Sequence, residues 1–394
     1  MEKEMFQNLE ADFKEMVAIR RYLHMNPELS FQEKNTIQFI TNFYKELNIP
    51  IRSKVGGGGI VATIHCKSPG RTVALRAEFD ALPIQDEKDI PYRSKVSGVM
   101  HACGHDGHTA ILLMLAKTIK KMQHLLDGTY VFIHQHAEEL SPGGAKPMIE
   151  DGCLEGVDAI FATHLWSSFP TGSIYISPGP ITANTDRFKI TIFGEGGHGA
   201  EPHTSRDSLV IAAEIVSLLQ TITSRKIDPM DAAVLSIGKF KAGEAFNIIP
   251  DKAYLDGTVR TFKSEIQEQI IKEIERIVKG VCLANNCNYE LRYFRGYPPI
   301  INHQSETDYL EYKAADIVGS ENIKRHTPLM VGEDFSYYLQ HVRGALFFTG
   351  ASPDGSDSTV PHHHPLFDFD EKAMLIAAKT LGSAAIGLQE WRYF

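Results

Sequence analysis

Side chains that can bind metals are concentrated directly before a long apolar segment, and this arrangement restricts the possible folds more than any other part of the chain. Residues 101–108 contain three histidines, one cysteine and one aspartate, and residues 110–116 are all apolar. Polar groups buried in front of an apolar helix need partners that compensate for their lost hydration. Gly104 and Gly107 allow the backbone to bend, so that neighbouring side chains can converge. The pattern predicts a rigid metal-binding turn that leads into a buried helix.

The same segment has a second interpretation, in which Cys103 is a nucleophile activated by His105. A single buried histidine is usually just a hydrogen-bonded polar group, and a single cysteine usually packs as a small apolar residue. A metal centre would need further ligands elsewhere in the chain. The rest of the sequence therefore has to distinguish the two interpretations.

The composition is typical of a globular protein and argues against several functional classes. The chain has 394 residues, of which 43% are hydrophobic and 23% charged, and its net charge is −9. We find no basic run suited to nucleic acid, no signal-like start and no apolar run of 18 residues. The five cysteines lack the spacing of a disulfide framework, which favours a reducing compartment. We therefore expect a cytoplasmic protein that binds neither nucleic acid nor membranes.

Strand and helix patterns indicate an α/β sheet that is interrupted by a different unit. The outer parts alternate predicted strands at 72–77, 128–134 and 159–165 with predicted helices at 4–47, 107–124, 143–151, 308–317 and 370–388. The middle part has the order β-α-β-β-α-β of a ferredoxin-like unit. We therefore predict a discontinuous α/β catalytic domain at 1–183 and 298–394, with an α+β domain inserted at 184–297.

Polar clusters lie at the ends of three of the predicted strands or directly after them, and a fourth cluster lies near the end of the sequence. These clusters cover residues 78–80, 136–139, 164–166 and 362–364. In open α/β sheets, reactive groups collect where strands end in loops. We therefore expect the four clusters to lie beside the cysteine and histidine turn.

The adjacent carboxylates of Glu138 and Glu139 fit a specific chemistry. Metal-assisted hydrolysis needs one carboxylate on the metal and a second one that takes a proton from the attacking water. Consecutive residues that leave a strand can direct their side chains to these different tasks. Glu-Glu alone would be weak evidence, because acidic turns are common at protein surfaces.

Several motifs together closely resemble those of one branch of the zinc carboxypeptidase/deacylase family of metallohydrolases. They read LRAEFDALP at 75–83, HACGHDGHT at 101–109, AEE at 137–139, GGHGAEPH at 196–203 and GEDF at 332–335. Shorter matches lie at 20–24, 27–30, 247–250 and 257–260. The branch contains aminoacylases, hippurate hydrolases and auxin-conjugate (IAA-amino acid) amidohydrolases. The matches span nearly the whole chain in order.

The resemblance implies a two-metal catalytic centre in the discontinuous domain. Its ligands to two divalent metal ions per subunit would be Cys103, His105, Glu139, His164 and His363. Cys103 would lie between the metals, where many relatives have an aspartate, and Glu138 would be the general base. The thiolate ligand favours zinc, while the nitrogen and oxygen ligands also admit manganese, cobalt or nickel.

The resemblance also implies roles for the inserted domain as a lid and dimerisation domain. His198 would reach over the substrate carbonyl, in its own subunit or in the partner of a homodimer. Asn247 and Arg260 would hold the substrate carboxylate, and an arginine suits this because its two parallel N–H donors fix the orientation.

Three further positions lie near the predicted centre: two are assigned supporting roles, and the role of the third is left open. Glu78 stands where this branch usually has aspartate, and we assign Glu78 and Asp80 to supporting roles. His136 stands where proline is common, which adds an imidazole that could be a ligand or a bystander.

The function implied by the resemblance is hydrolysis of N-acyl amino acids to a carboxylic acid and an amino acid. A metallo-dipeptidase or carboxypeptidase would use the same metals, and the substrate pockets that decide between them are not visible in the sequence. A cysteine-dependent hydrolase and a binding protein without turnover are further alternatives. Glu138 argues against a binding protein, because a binder does not need a base beside its ligand.

Overall fold

The computed structural model describes residues 1–352 and 360–391 and divides into two compact units. The larger unit contains Met1–Ile181, Ile300–Thr327 and Asp334–Phe394, and the smaller unit contains Thr182–Pro299 and Pro328–Glu333. Residues 353–359 and 392–394 of the predicted catalytic domain lie outside the described residues.

The division differs from the predicted domain boundaries mainly at Pro328–Glu333, which the sequence analysis places in the catalytic domain. This segment belongs to the smaller unit because its backbone pairs with the start of that unit. Thr182 forms a parallel bridge with Leu329, and the Ala183 N–H donates to the Val331 carbonyl oxygen at 3.0 Å.

The helices and strands alternate along most of the chain. The helices are α1 (Glu2–Ala11), α2 (Phe13–Met25), α3 (Lys34–Glu46), α4 (His105–Met122), α5 (Ala145–Glu150), α6 (Ser208–Arg225), α7 (Ser264–Ala284), α8 (Gln304–Val318), α9 (Ser336–Leu339) and α10 (Lys372–Gly387). The strands are β1 (Ile51–Val55), β2 (Gly59–His65), β3 (Ser68–Glu78), β4 (Asp127–Gln135), β5 (Ala159–Pro170), β6 (Ile174–Tyr175), β7 (Gly179–Pro180), β8 (Asp186–Phe193), β9 (Gly197–His198), β10 (Ala233–Ala242), β11 (Ile248–Ile249), β12 (Lys252–Thr261), β13 (Asn288–Phe294), β14 (Ile301–Asn302), β15 (Ile323–Lys324) and β16 (Arg343–Ser352).

The larger unit is built on an eight-stranded mixed sheet in the order β1-β2-β4-β3-β5-β16-β6-β15. Its central strands β4, β3, β5 and β16 are parallel, so their carboxyl ends meet at one edge of the sheet. Strand β16 was not predicted. Its interior is buried throughout, and a short continuous apolar run of this kind lacks the alternation that identifies a strand with one exposed face.

His164 lies well inside strand β5, whereas the predicted strand at 159–165 would place it at a strand end. The strand is longer than predicted because β16 pairs alongside β5 and matches Phe348 to His164. On the other side, β3 pairs with β5 only as far as Ala162. His164 therefore lies beyond the last β3–β5 pair, near the edge where the other polar clusters lie.

The turn before α4 and the start of this helix depend on two glycines for different reasons. Gly104 has a φ of +93°, a conformation that strains residues with a side chain. Gly107 is helical, and a Cβ atom there would lie 2.7 Å from both Leu165 Cδ1 and Phe369 Cζ. The predicted turn and buried helix are confirmed, but only Gly104 serves the bend, whereas Gly107 permits close packing.

The smaller unit has the predicted β-α-β-β-α-β order. Its antiparallel sheet has the strand order β10-β12-β8-β13, and α6 and α7 contribute apolar side chains to a shared core with this sheet. Among the described residues, α6 is the one helix that is long and apolar enough to cross a membrane. Ile211, Ile215, Leu219 and Ile222 of this helix are buried in the core of the unit.

Candidate metal centre

Five of the sequence-predicted ligands form two triads that share Cys103. In one triad, potential ligand atoms of Cys103, His105 and His164 lie within 4.8 Å of one another, and in the other the same holds for Cys103, Glu139 and His363. Cys103 comes from the turn before α4, and His105 begins that helix. Because the Cys103 thiol belongs to both triads, its position is the one expected of a group that two cations would share.

Two histidines of the first triad direct the same ring nitrogen toward the centre. His105 Nδ1 donates to the Asp80 carbonyl oxygen at 3.0 Å, and His164 Nδ1 donates to the Leu165 carbonyl oxygen at 2.9 Å. A carbonyl oxygen only accepts, so Nδ1 carries a proton in each ring, and the neutral form of each imidazole would have its lone pair on Nε2. His105 Nε2 is buried without a hydrogen-bond partner among the described residues, and His164 Nε2 lies 3.5 Å from Cys103 Sγ. Second contacts of this kind orient metal-binding histidines.

The second triad combines a carboxylate and a partly exposed imidazole. His363 Nε2 lies 3.2 Å from Glu139 Oε1, and this oxygen has no hydrogen-bond partner among the described residues. The Glu139 N–H donates to Asp80 Oδ2 at 3.0 Å. Asp80 therefore positions one member of each triad, because its carbonyl oxygen holds His105 and its carboxylate holds Glu139.

Glu138 lies beside the triads on a sharply turned backbone. One of its carboxylate oxygens lies within 4.8 Å of ligand atoms of both His105 and Glu139. Ala137 precedes it with a φ of +52°, and the Ala137 N–H donates to Glu33 Oε1 at 2.9 Å. The turn brings both adjacent carboxylates to the site.

The electrostatics of the centre favour a bound cation. Burial alone would lower the pKa of His105, but the carboxylates of Glu78, Asp80 and Glu139 raise it to about 10. Burial, followed by the negative charges of Glu139 and Glu138, raises the pKa of the Cys103 thiol well above its usual value. A thiol in this environment is a poor nucleophile, whereas a divalent cation would stabilise its thiolate. His105 Nε2 and Glu139 Oε1, which form no hydrogen bond within residues 1–352 and 360–391, fit such a cation.

The other members of the 101–108 cluster are engaged elsewhere or lie apart. Asp106 accepts hydrogen bonds from Arg20 and His24, and both ring nitrogens of His108 form hydrogen bonds. His101 is buried, and neither of its ring nitrogens has a hydrogen-bond partner among the described residues. Cys103 and His105 join the two triads that share the thiol, whereas ligand atoms of His108 lie within 4.8 Å of those of Glu78 and His105.

The predicted supporting residues contact the centre through hydrogen bonds. Glu78 pairs with Arg76 and His108, and its Oε1 lies 3.6 Å from His105 Nε2. Asp80 also accepts from Ser30 Oγ at 2.7 Å. The buried His136 ring packs edge-on against Phe31, with 5.8 Å between ring centroids.

The three predicted substrate residues belong to the smaller unit. His198 and Asn247 are neighbours, because β9 pairs with β11 and the Gly199 N–H donates to the Asn247 carbonyl oxygen at 2.9 Å. The exposed His198 ring accepts from the Ala200 N–H at Nδ1, 3.0 Å away. Arg260 is half-buried on β12, and Nη1 forms its hydrogen bonds with the described residues, including one to the Val259 carbonyl oxygen at 3.0 Å.

Comparison with known proteins identifies the family. Residues 74–386 match the sequence profile of Peptidase family M20/M25/M40. The chain belongs to this family. Among its M20 relatives, YhaA of Bacillus subtilis (strain 168) is 54% identical over 98% of each chain. A Geobacillus stearothermophilus protein named N-acyl-L-amino acid amidohydrolase is 45% identical over 77% of this chain and 82% of its own.

A solved M20 structure supports the assignment of metal binding. The crystal structure of YXEP from Bacillus subtilis, described as a dinuclear metal-binding peptidase of the M20 family, aligns with a TM-score of 0.81 and 33% identity. The alignment covers 97% of this chain and 99% of that one. The present protein is thus a metal-binding M20 hydrolase that acts on amide bonds. The alternative of a binding protein without turnover is therefore wrong.

Several residues that shape the centre received no role from the sequence. Arg20, Arg76 and Asp334 lie inside recognised motifs, and His108 lies inside the metal-binding segment. Their contacts join positions far apart in the chain, such as Arg76 Nη2 and Asp334 Oδ1 at 2.8 Å. A signal was present for Arg20 and Arg76, since a charged residue within an apolar pattern needs a buried partner.

Proposed function

We propose that this M20 hydrolase cleaves the amide bond of N-acyl amino acids, as the aminoacylase, hippurate hydrolase and auxin-conjugate amidohydrolase branch does. The observation that carries the proposal is the pair of triads that share Cys103, with the Glu138 carboxylate beside them. The substrate class is supported by the relative named N-acyl-L-amino acid amidohydrolase, which is 45% identical. The products would be a carboxylic acid and a free amino acid.

The ligands of two divalent ions would be Cys103, His105, Glu139, His164 and His363. Sulfur, nitrogen and oxygen donors in one set suit zinc first, and manganese, cobalt and nickel next. His105 Nε2 and Glu139 Oε1 support this assignment, because neither forms a hydrogen bond within the part of the chain that the structure describes, and buried polar atoms without one are costly.

Glu138 would be the proton carrier of the reaction. The metal ions, when bound, acidify water and polarise a carbonyl group. Glu138 would accept a proton from the water that attacks the amide carbon, and would then deliver it to the nitrogen as the C–N bond breaks. Glu138 as a whole is 6% exposed, so bulk water would compete little for this proton.

We assign substrate contacts to the smaller unit on the basis of the resemblance. His198 would donate a hydrogen bond from Nε2 to the developing oxyanion, since its Nδ1 accepts from the Ala200 N–H. Asn247 and Arg260 would bind the substrate carboxylate, for which Arg260 offers Nε and Nη2. Whether His198 serves its own subunit or a partner follows from the oligomeric state.

We propose a homodimer formed through the smaller unit and a cytoplasmic location. Strand β10 is the edge of its sheet, and an edge strand can pair with a second copy. Leu209 and Val210 are exposed on α6, which packs against β10. The free cysteines among the described residues support a reducing compartment.

The decisive experiment compares two substrate classes at equal concentration. We expect kcat/KM for N-acetyl- or N-benzoyl-amino acids to exceed that for unblocked dipeptides by at least about tenfold, or ~1.4 kcal/mol. The Glu138→Gln protein, purified in parallel, controls for contaminating hydrolases. Faster cleavage of the dipeptides would instead indicate a metallo-dipeptidase or carboxypeptidase.

A further inference from the structure

We propose that His108 is a positioning residue that fixes the backbone of Leu165 and, through it, the imidazole of His164. The inference rests on the proposed metal centre, in which His164 is a ligand. His108 itself would not bind a metal, although it lies in the metal-binding segment and its ring centroid is 4.7 Å from that of His164.

The hydrogen bonds of His108 determine its tautomer. The Leu165 N–H donates to His108 Nε2 at 2.9 Å. A backbone amide only donates, so Nε2 must carry a lone pair and Nδ1 must carry the proton. Nδ1 donates this proton to the Glu78 carboxylate. Both ring nitrogens are therefore used, and neither keeps a lone pair for a metal.

The Leu165 backbone transmits this constraint to the proposed ligand. Its carbonyl oxygen accepts from His164 Nδ1 at 2.9 Å and from His362 Nε2 at 3.1 Å. Leu165 thus receives one hydrogen bond from each of two rings and gives one to His108. Movement of the Leu165 backbone would rotate the His164 imidazole and misdirect its Nε2.

A buried charge network holds the other side of His108. Glu78 is 1% exposed and is paired with Arg76, whose Nε donates to Gln135 Oε1 at 2.9 Å and whose Nη2 donates to Asp334 Oδ1 at 2.8 Å. Gln135 Nε2 donates to both Asp334 oxygens at 2.8 Å. The carboxylate that accepts from His108 is therefore held in one place by groups of strands β3 and β4 and by Asp334.

Two variants of His108 separate its two hydrogen bonds. His108→Gln keeps an acceptor near the position of Nε2, and His108→Asn keeps a donor near the position of Nδ1. Zn²⁺ binding is measured on the metal-depleted full-length protein by competition with a chromophoric chelator. His134→Gln is the control, because His134 is a buried histidine that contacts Tyr44 at 2.7 Å, outside this network.

We expect both His108 variants to bind as many Zn²⁺ ions as the parent protein, with the affinity of one site reduced by about 10–100-fold. His108→Asn should be the weaker binder, because it loses the contact to the Leu165 N–H. The control should bind like the parent. Loss of one Zn²⁺ per chain would make His108 a ligand and overturn the proposal, and so would unchanged affinity.

A second readout does not depend on metal or turnover. The ¹⁵N shifts of His108 in the metal-free protein, assigned by difference from His108→Gln, should show an unprotonated Nε2 and a protonated Nδ1. The opposite tautomer would overturn the proposal even if two metal ions bind. If the protein does not hydrolyse N-acyl amino acids, the Zn²⁺ titration and the tautomer still test His108, so the two failures are distinguishable.

Discussion

Arg20 and Asp106 form an ion pair that is completely closed to solvent, with Arg20 Nε 2.9 Å from Asp106 Oδ2. Arg20 also donates to Asp368 at 2.7 Å and to Glu371 at 3.2 Å. Asp106 directly follows His105, so the pair connects α2 to the first turn of α4. The position of the proposed ligand therefore depends on a residue more than 80 positions earlier in the chain.

Replacing Arg20 should destabilise the fold strongly. Arg20→Met leaves the buried Asp106 carboxylate without its cation, and we expect the free energy of unfolding to fall by about 3–5 kcal/mol. Arg21→Met is the matched control, because Arg21 binds Glu371 too but is 43% exposed, so its loss should cost at most about 1 kcal/mol. Urea denaturation of both variants measures the difference, and equal losses would contradict the role of burial.

Asp86 should contribute stability that is lost in acid. It lies buried and accepts hydrogen bonds from the Lys88 and Ser94 N–H groups, and its Oδ2 lies 3.3 Å from His24 Nε2. Burial opposes ionisation, but the contacts to His24 and Ser94 lower the pKa of Asp86 to about 2. A lowered pKa in the folded state means that the stabilisation is complete above the unfolded pKa of about 4 and disappears as the pH falls toward 2.

The test of this pH dependence is Asp86→Asn. At pH 7 the variant should be less stable than the parent by about 1–2 kcal/mol, and at pH 3 the difference should be about half as large. Asp89→Asn, at an exposed position, should show no such trend. A difference that stays constant between pH 7 and pH 3 would show that Asp86 does not act through its charge.

A metal-binding side chain in place of Cys103 should preserve the metal content, whereas a side chain that cannot bind metal should not. Cys103→Asp should keep both metal ions, because a carboxylate can also join two cations, whereas Cys103→Ala should lose metal from both triads. Cys153→Ser changes a buried thiol in another part of the larger unit and should leave metal content unchanged. Metal analysis and hydrolysis rates of the three variants test these expectations. An inactive Cys103→Asp protein with full metal content would favour the cysteine nucleophile.

Glu138 and Glu139 should respond differently to the same substitution. Glu138→Gln removes the proton acceptor, so we expect full metal content and a kcat reduced by about 10²–10⁴-fold. Glu139→Gln should instead lower the metal content, because it weakens a ligand. Retained activity of Glu138→Gln would refute its assignment as general base.

Most strands and helices were predictable because the sequence patterns that identify them are local. Strands β3, β4 and β5 show apolar runs bounded by polar turns, and the β-α-β-β-α-β unit alternates regularly. Strand β16 is a buried apolar run like these strands, but periodicity alone does not distinguish such a run from a buried helix segment, and its partner β5 is distant in the sequence. The early end predicted for β5 has the same origin, since its pairing with β16 is set by a segment about 180 residues away.

The candidate centre was predictable as a set of residues but not as a geometry. Motif resemblance named the five residues of the two triads, yet it could not show that Cys103 is common to both. The resemblance named His105 and not His108 as a ligand, but it could not show the hydrogen bond that the Leu165 N–H donates to His108. Such second contacts involve backbone groups, which leave no mark on side-chain patterns.

The central claim is that metal ions at the Cys103 centre activate water for hydrolysis of N-acyl amino acids. The most direct measurement follows hydrolysis of a small N-acyl amino acid panel before chelation, after chelation, and after addition of zinc, manganese, cobalt or nickel, with metal content determined at each stage. We expect activity to disappear with the metal and to return when about two ions per chain are restored. Hydrolysis that continues at full rate in the metal-free protein would contradict this claim.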